Sequence, residues 1–263
     1  MSTFSVLQIS DLHVFPEPDD KLLGVQTEYY FHSILKHAFK YRANYDLILV
    51  SGDLAQSPCV QSYTRIFKTL QFYNLPVRCL AGNHDDFALM QKVFNLPQMN
   101  CKKRSIFGNW QLIMLNSQIL GSEAGRLEQT ELDFLENALN ENSHLFTVIA
   151  VHHNCLPTGS AWLDTMTIEN SAAFLNIVER YKNVKVITTG HIHQEMHKQF
   201  KEILVLGTPS TCFQFTPQSV GFSMDRTPAG YRILDLFDDG TLNTTVQRLE
   251  TPLHELEIDA AGY

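Results

Sequence analysis

Phe4-Ser5-Val6-Leu7-Gln8-Ile9-Ser10-Asp11-Leu12-His13 is a short apolar run that stops on a polar cluster, and the chain repeats the pattern. Leu47-Ile48-Leu49-Val50 leads into Ser51-Gly52-Asp53, and Val77-Arg78-Cys79-Leu80 into Ala81-Gly82-Asn83-His84-Asp85. Phe146-Thr147-Val148-Ile149-Ala150-Val151 leads into His152-His153. Val184-Lys185-Val186-Ile187-Thr188-Thr189 leads into Gly190-His191-Ile192-His193. Runs this short predict buried strands, because an amphipathic helix needs a longer periodic stretch.

Between the runs lie helical spacings. Tyr30, Ile34, Ala38 and Tyr41 recur at three and four across residues 27–41, and Tyr63, Ile66 and Leu70 do so across 60–73. Leu132, Leu135 and Leu139 mark a helix over 128–139; Phe174, Ile177 and Tyr181 mark one over 170–181, with Asn170 or Ser171 as its N-cap. Strands alternating with helices make βα units and a largely parallel sheet. Residues 105–107 and 110–115 read as a hairpin through Gly108-Asn109. After Glu195 the texture changes to strands and turns, which predicts a C-terminal sheet closing on itself by hairpins. With no repeat and no linker, residues 1–263 read as a single domain, a motif-bearing core (1–200) with a β-rich portion (201–263). The fold class is α/β with an added antiparallel part.

The 263 residues are 44% hydrophobic and 18% charged, enough for a sizeable core. Twenty Lys and Arg against 28 Asp and Glu leave a net charge of -8, which argues against a nucleic-acid binder. The one cationic cluster, Lys102-Lys103-Arg104, reads as a solvated loop. No apolar run approaches the ~20 residues that span a bilayer, and Met1-Ser2-Thr3-Phe4 shows no export signal. Five scattered cysteines without a C-x-x-C pair disfavour both disulfides and a thiolate zinc site. The cytoplasm is the expected location.

The polar clusters carry the chemistry. Ligands of open α/β sheets collect outside the carboxyl ends of the strands, and here five strands end in Asp, Asn or His. Asp11 and His13, and again His191 and His193, stand two apart, which on an extended chain aims both side chains one way. Gly52, Gly82 and Gly190 permit sharp exits from the strands. Six of the 11 histidines lie in these clusters. Asp11, His13, Asp53, Asn83, His152, His191 and His193 are seven ligand-type residues without a thiolate, suited to Mn, Fe, Zn or Co. A single catalytic zinc takes three protein ligands; seven fit two ions if one carboxylate bridges them. Such pairs catalyse in-line displacement at phosphorus.

D-x-H, G-D, G-N-H-D, the His pair and G-H-x-H, in that order, resemble the calcineurin-like metallophosphoesterase superfamily. Gly52-Asp53-Leu54-Ala55-Gln56, Ala161-Trp162-Leu163-Asp164, Gly190-His191-Ile192-His193-Gln194-Glu195 and the run from Thr208 to Phe215 further resemble bacterial class III 3′,5′-cyclic AMP phosphodiesterases. The resemblance implies a four-layer α/β/β/α sandwich and two divalent ions, Fe or Mn first, with Zn or Co compatible. Asp11, His13 and His193 would hold one ion, and Asn83, His152 and His191 the other, with Asp53 bridging. The substrate would meet His13, Asp53, Asn83, His84 and His193. His84 would contact the phosphate and assist departure of the 3′-oxygen, and Asp85 would orient His84. A metal-bridging hydroxide would attack phosphorus and release 5′-AMP. After the His pair the superfamily commonly has proline, where this chain has Asn154-Cys155-Leu156-Pro157; the departure concerns the loop shape, not His152.

Other residues admit plainer readings. His153 fits an orienting role or that of a polar neighbour; His197 reads as exposed, and His32, His37, His144 and His254 as surface or helix-face residues. Cys155 reads as a loop cysteine. Trp162 and Phe213 fit stacking on a purine and core packing equally well. The alternative activity is a phosphodiesterase for glycerophosphodiesters or other small diesters. A metal-free scaffold would be free to lose Asp53, Asn83 or His84, and all three remain. The expected partner is a small phosphodiester, not nucleic acid or membrane, and the exposed C-terminal portion permits a homodimer without requiring one.

Overall fold

Alternate residues of the first strand, β1 (Thr3–Ile9), enter two different cores. Leu7 and Ile9 share the larger cluster with Ile34, Leu35 and Ala38, whereas Val6 shares a smaller one with Leu112, Val148 and Val186. Successive side chains of a strand point to opposite faces. A strand covered on both sides must be apolar on both, which is why these runs lack polar alternation. The computed structural model describes residues 3–262; Met1-Ser2, read above for an export signal, and Tyr263 lie outside them.

In chain order the elements are β1, α1 (Thr27–Tyr41), β2 (Leu47–Ser51), α2 (Val60–Gln71), β3 (Val77–Leu80), α3 (Phe87–Val93) and β4 (Met99–Asn100). Then come β5 (Arg104–Phe107), β6 (Trp110–Leu115), α4 (Gln129–Glu141), β7 (Phe146–Val151), α5 (Ser171–Val178) and β8 (Val184–Thr189). The chain continues through β9 (Met196–Phe200), β10 (Ile203–Gly207), β11 (Gln214–Phe215), β12 (Met224–Asp225), β13 (Gly230–Phe237) and β14 (Leu242–Arg248). One sheet runs β14-β13-β1-β2-β3-β4, the other β5-β6-β7-β8-β10-β9, and β11-β12 is a small ribbon. The smaller cluster lies between the two large sheets, with Leu47, Leu49 and Leu234 from one and Trp110, Leu112 and Leu206 from the other. Helices cover the outer faces, giving a four-layer α/β/β/α sandwich.

The expected C-terminal hairpins form, β9-β10 and β13-β14, but apart from the β11-β12 ribbon they extend the two large sheets instead of making a sheet of their own. β13 lies antiparallel beside β1, with Val6 opposite Leu234, and β10 lies parallel to β8. The sequence of β13, Gly-Tyr-Arg-Ile-Leu-Asp-Leu-Phe, is buried along most of its length, so it requires cover on both faces. Even Arg232 is buried there; its guanidinium crosses between the sheets to donate to the Gly207 carbonyl at 2.8 Å. Asn170 likewise departs from its expected role. It stands at the N-cap position of α5, but its side chain accepts from Leu127 N–H and donates to Leu127 C=O instead of capping. α3 and the edge strand β9 were not legible, the first for its seven residues, the second for its polar Lys198 and Gln199.

Candidate active site

The parallel strands β1, β2 and β3 of one sheet and β7 and β8 of the other end at the same edge of the sandwich, and each hands its next residues to one cluster. The loops are tied to one another by backbone. Asp11 N–H donates to Gly52 C=O and His13 N–H to Asp53 C=O, both at 3.0 Å, and Gly190 N–H donates to His152 C=O at 3.1 Å. Two carboxylates also take part. Asp11 Oδ1 accepts from His191 N–H at 3.0 Å, joining the two sheets, and Asp53 Oδ1 accepts from His84 N–H at 2.9 Å.

The backbone here is not extended. Asp11, His13, Asp53, His191 and His193 all have positive φ, between 44° and 64°. Non-glycine residues rarely adopt this left-handed conformation, at a cost of ~1–2 kcal/mol each, and such strain gathers at functional sites. The two-apart spacing of Asp11 with His13, and of His191 with His193, therefore works through paired left-handed residues, not an extended chain. The glycines have a different reason too. A Cβ at Gly82 would lie 2.2 Å from Asp53 Oδ1, and one at Gly190 would lie 2.0 Å from Ser10 Oγ, so both sites need bare backbone because other groups approach them.

Seven sequence-expected residues come together: Asp11, His13, Asp53, His152, His191 and His193 are buried, and Asn83 is half-buried beside them. His13 Nε2 lies 3.2 Å from His193 Nε2, and His193 Nε2 lies 3.5 Å from Asp11 Oδ1. His152 Nε2 lies 3.2 Å from Asn83 Oδ1 and 3.3 Å from Asp53 Oδ2; Asp53 Oδ2 is also 3.9 Å from His13 Nε2. The far nitrogen of each ring is seated on an oxygen. His13 Nδ1 meets Gln56 Oε1 at 2.7 Å, His152 Nδ1 meets Ser51 C=O at 2.8 Å, and His193 Nδ1 meets Phe213 C=O at 3.0 Å. A carbonyl oxygen can only accept, so each Nδ1 carries a proton, and a neutral ring then turns its Nε2 lone pair inward.

That arrangement tests whether a metal suits the site. With both rings neutral, two lone pairs face each other across 3.2 Å at His13 and His193, an unfavourable contact unless a cation stands between them. Asp11 Oδ2 and His191 Nε2 are buried without a hydrogen-bond partner among the described residues. Ligand atoms of Asp11, His13 and His193 lie within 4.8 Å of one another, as do those of His152, His153 and His191, and Asp53 belongs to groups with residues of both sets. The donors fit divalent cations, and the two clusters joined by one carboxylate suggest a dimetal site.

Titration agrees with the donor set at His13 and His191. Burial pushes His13 and His191 down to about 3, so both are neutral donors at pH 7. Burial opposes charge on His152 as well, yet the Asp53 carboxylate beside it lifts that imidazole to about 9. Burial alone would raise Asp53, but His152 and His84 hold it well below the ordinary carboxylate range.

The Asp85 carboxylate, expected to orient His84, is engaged by the backbone of two loops and a tyrosine. Its Oδ1 accepts from Ala55 N–H and the Tyr63 hydroxyl, and its Oδ2 from Leu54 and Gly82 N–H, at 2.9–3.1 Å. It holds the backbone of the two loops together, one of which carries His84. His84 itself is half-buried on the wall of a cavity of about 210 Å³, with Asn83, His191, Trp162 and Phe215. His153 is buried, with Nδ1 2.7 Å from Ser117 Oγ and Nε2 without a hydrogen-bond partner among the described residues. Cys155 is buried in the core, where burial pushes its thiol up to about 12, and it joins none of the clusters; His197 is exposed. Residues that sequence reasoning did not assign are Gln56, Ser117 and Tyr63. Gln56 alone had a signal, its place in the Gly52–Gln56 motif.

A family model described as calcineurin-like phosphoesterase matches residues 4–195. The chain is 38% identical over 259 residues to a 3′,5′-cyclic adenosine monophosphate phosphodiesterase of Haemophilus influenzae, covering 98% of this chain and 94% of that protein. It is 35% identical to the Pseudomonas aeruginosa protein of the same description, over 98% of this chain and 94% of that protein. Among solved structures, a dimetal phosphatase from Danio rerio superposes with a TM-score of 0.63 at 14% identity, covering 88% of this chain and 95% of that chain. At that identity the likeness concerns the fold alone.

Proposed function

The chain belongs to the calcineurin-like phosphoesterase family, and from that premise we propose that it hydrolyses 3′,5′-cyclic AMP to 5′-AMP. One observation carries the reading: a chain that matches cyclic AMP phosphodiesterases over nearly its whole length also gathers Asp11, His13, Asp53, His152, His191 and His193 at one sheet edge. Asp11, His13 and His193 would hold one divalent ion and Asn83, His152 and His191 a second, with Asp53 shared; Fe or Mn is the proposed native pair. When bound, the ions would supply a hydrolytic water activated at neutral pH and charge against the phosphoryl oxygens. The protein's part is placement. The Gln56, Ser51 and Phe213 oxygens fix the imidazoles, and the Asp85 carboxylate fixes the loop that presents Asn83 and His84. His84, on the cavity wall, would donate to the departing 3′-oxygen. The net charge of -8 is compatible with this substrate, because bound divalent ions dominate the local field at the site.

The test is hydrolysis of 3′,5′-cyclic AMP beside 2′,3′-cyclic AMP, glycerophosphocholine and bis(p-nitrophenyl) phosphate, with Mn²⁺ or Fe²⁺ supplied. Cyclic AMP should give the highest kcat/KM. If it turns over no faster than the generic diester, the reading fails, and preferential cleavage of glycerophosphocholine would redirect it to glycerophosphodiesters.

A further inference from the structure

The cavity beside the metal-type donors has two kinds of wall. Asn83, His84 and His191 line it on the side of the donors, and Trp162, Met166 and Phe222 supply apolar surface. The two tryptophans of the chain occupy unlike places. Trp110 is buried in the cluster between the sheets, whereas Trp162 is half-buried on the cavity. The Trp162 ring is held in place. Its indole N–H donates to Ser219 Oγ at 2.9 Å, and it stands edge-to-face with Phe215 (4.9 Å, 84°) and Phe222 (5.2 Å, 69°). Phe213, which the sequence left level with Trp162 for stacking on a purine, is fully buried and serves His193 through its carbonyl.

We propose that Trp162, with Met166, forms the nucleobase wall of the substrate site: the base lies on the indole while the phosphate lies at Asn83 and His84. The inference rests on the phosphodiesterase reading above and adds the residue that distinguishes a nucleotide from other diesters. A fixed, partly exposed indole in the same cavity as the phosphate-handling groups suits a flat ring joined to a phosphate by one sugar. Base–aromatic stacking depends on the π-face of the base, so every nucleobase is a candidate and adenine is one.

Tryptophan emission reports this directly. Titration of the metal-loaded protein with 5′-AMP or adenosine should quench part of the emission, and ribose 5-phosphate should not. Trp162→Phe should abolish the quench, leaving Trp110 emission, and keep KM for cyclic AMP within about threefold, because the ring is retained. Trp162→Ala should raise that KM about tenfold with little change in kcat, and leave kcat/KM for the abasic 3′,5′-cyclic ribose phosphate unchanged. Cyclic AMP hydrolysis with no quench by 5′-AMP and no change of KM in Trp162→Ala would overturn the base wall and leave the phosphodiesterase reading intact. Quenching by 5′-AMP without cyclic AMP hydrolysis would do the reverse. Quenching by choline and not by adenosine would also overturn it, in favour of an alkylammonium group.

Discussion

A Cβ on Gly52 would stand 2.1 Å from Nδ1 of His152, so the imidazole occupies the space where any other residue would put its side chain. The ring is seated there by its hydrogen bond to the Ser51 carbonyl. Gly52→Ala is expected to displace the ring and lower metal affinity and phosphodiesterase activity together by about 10–100-fold, with the far-ultraviolet circular dichroism retained. Wild-type metal content in the variant would show that the seat is dispensable.

Asn83 and His84 are neighbours with separable roles. Asn83 Oδ1 points to His152 Nε2 at 3.2 Å, so Asn83→Ala should lower metal content and activity in parallel. His84→Ala should keep the metal and lower kcat, by about 10²–10⁴-fold if the imidazole acts as the general acid. Elemental analysis with steady-state kinetics on both variants checks the division; full metal content in Asn83→Ala contradicts it.

Gln56 touches only one of the two proposed ion sites, through His13 Nδ1. Gln56→Ala should therefore weaken one of two binding steps in a calorimetric Mn²⁺ titration, by about tenfold, and spare the other. Equal weakening of both steps would count against the assignment of His13 to a single ion.

Tyr63 is buried, and its hydroxyl both donates to Asp85 Oδ1 and accepts from Asp86 N–H, each at 2.9 Å. Tyr63→Phe leaves the amide unpaired and takes one of the carboxylate's donors. A loss of about 1–3 kcal/mol is expected in urea unfolding of the metal-free protein. An unchanged midpoint would mean that water replaces the hydroxyl.

Arg42 at the end of α1 donates to Asp235 of β13, with an NH2–Oδ2 distance of 3.0 Å, and Ser5 Oγ of β1 donates to the same carboxylate at 2.6 Å. Burial would raise Asp235, but these partners hold it below its ordinary value of 3.8. The unfolded chain then binds the proton more tightly, so the contribution to stability is present above pH ~3.8 and is lost as pH falls through the lower folded value. Asp235→Asn should cost about 1 kcal/mol at pH 7, a fall in Tm of about 2–4 °C, and the gap to wild type should close in acid. A gap independent of pH would assign the loss to packing.

The five strand-to-cluster junctions were legible because both halves of the signal are local. A strand buried on two faces must be apolar without alternation, and its C-terminal exit must carry the polar residues that reach the sheet edge. Val184 to His193 contains both in ten consecutive positions. The helices were legible for the same reason, since Ile34, Ile66 and Leu135 repeat at helical spacing and are buried. Asn170 shows where local reading stops: its type and position suit an N-cap, yet Leu127, 43 residues away, takes its side chain.

Residue identity and order along the chain thus determined the fold class and which Asp, Asn and His side chains stand at the strand ends. Only the tertiary structure decided how they act. It put β13 beside β1, gave Asp11, His13, Asp53, His191 and His193 their left-handed backbone, and turned Asp85 onto the amides of Leu54, Ala55 and Gly82. It also separated Trp162 on the cavity from Phe213 in the core. Periodicity is a property of neighbours in sequence, whereas ring seating, backbone strain and burial depend on groups that meet only after the two sheets pack.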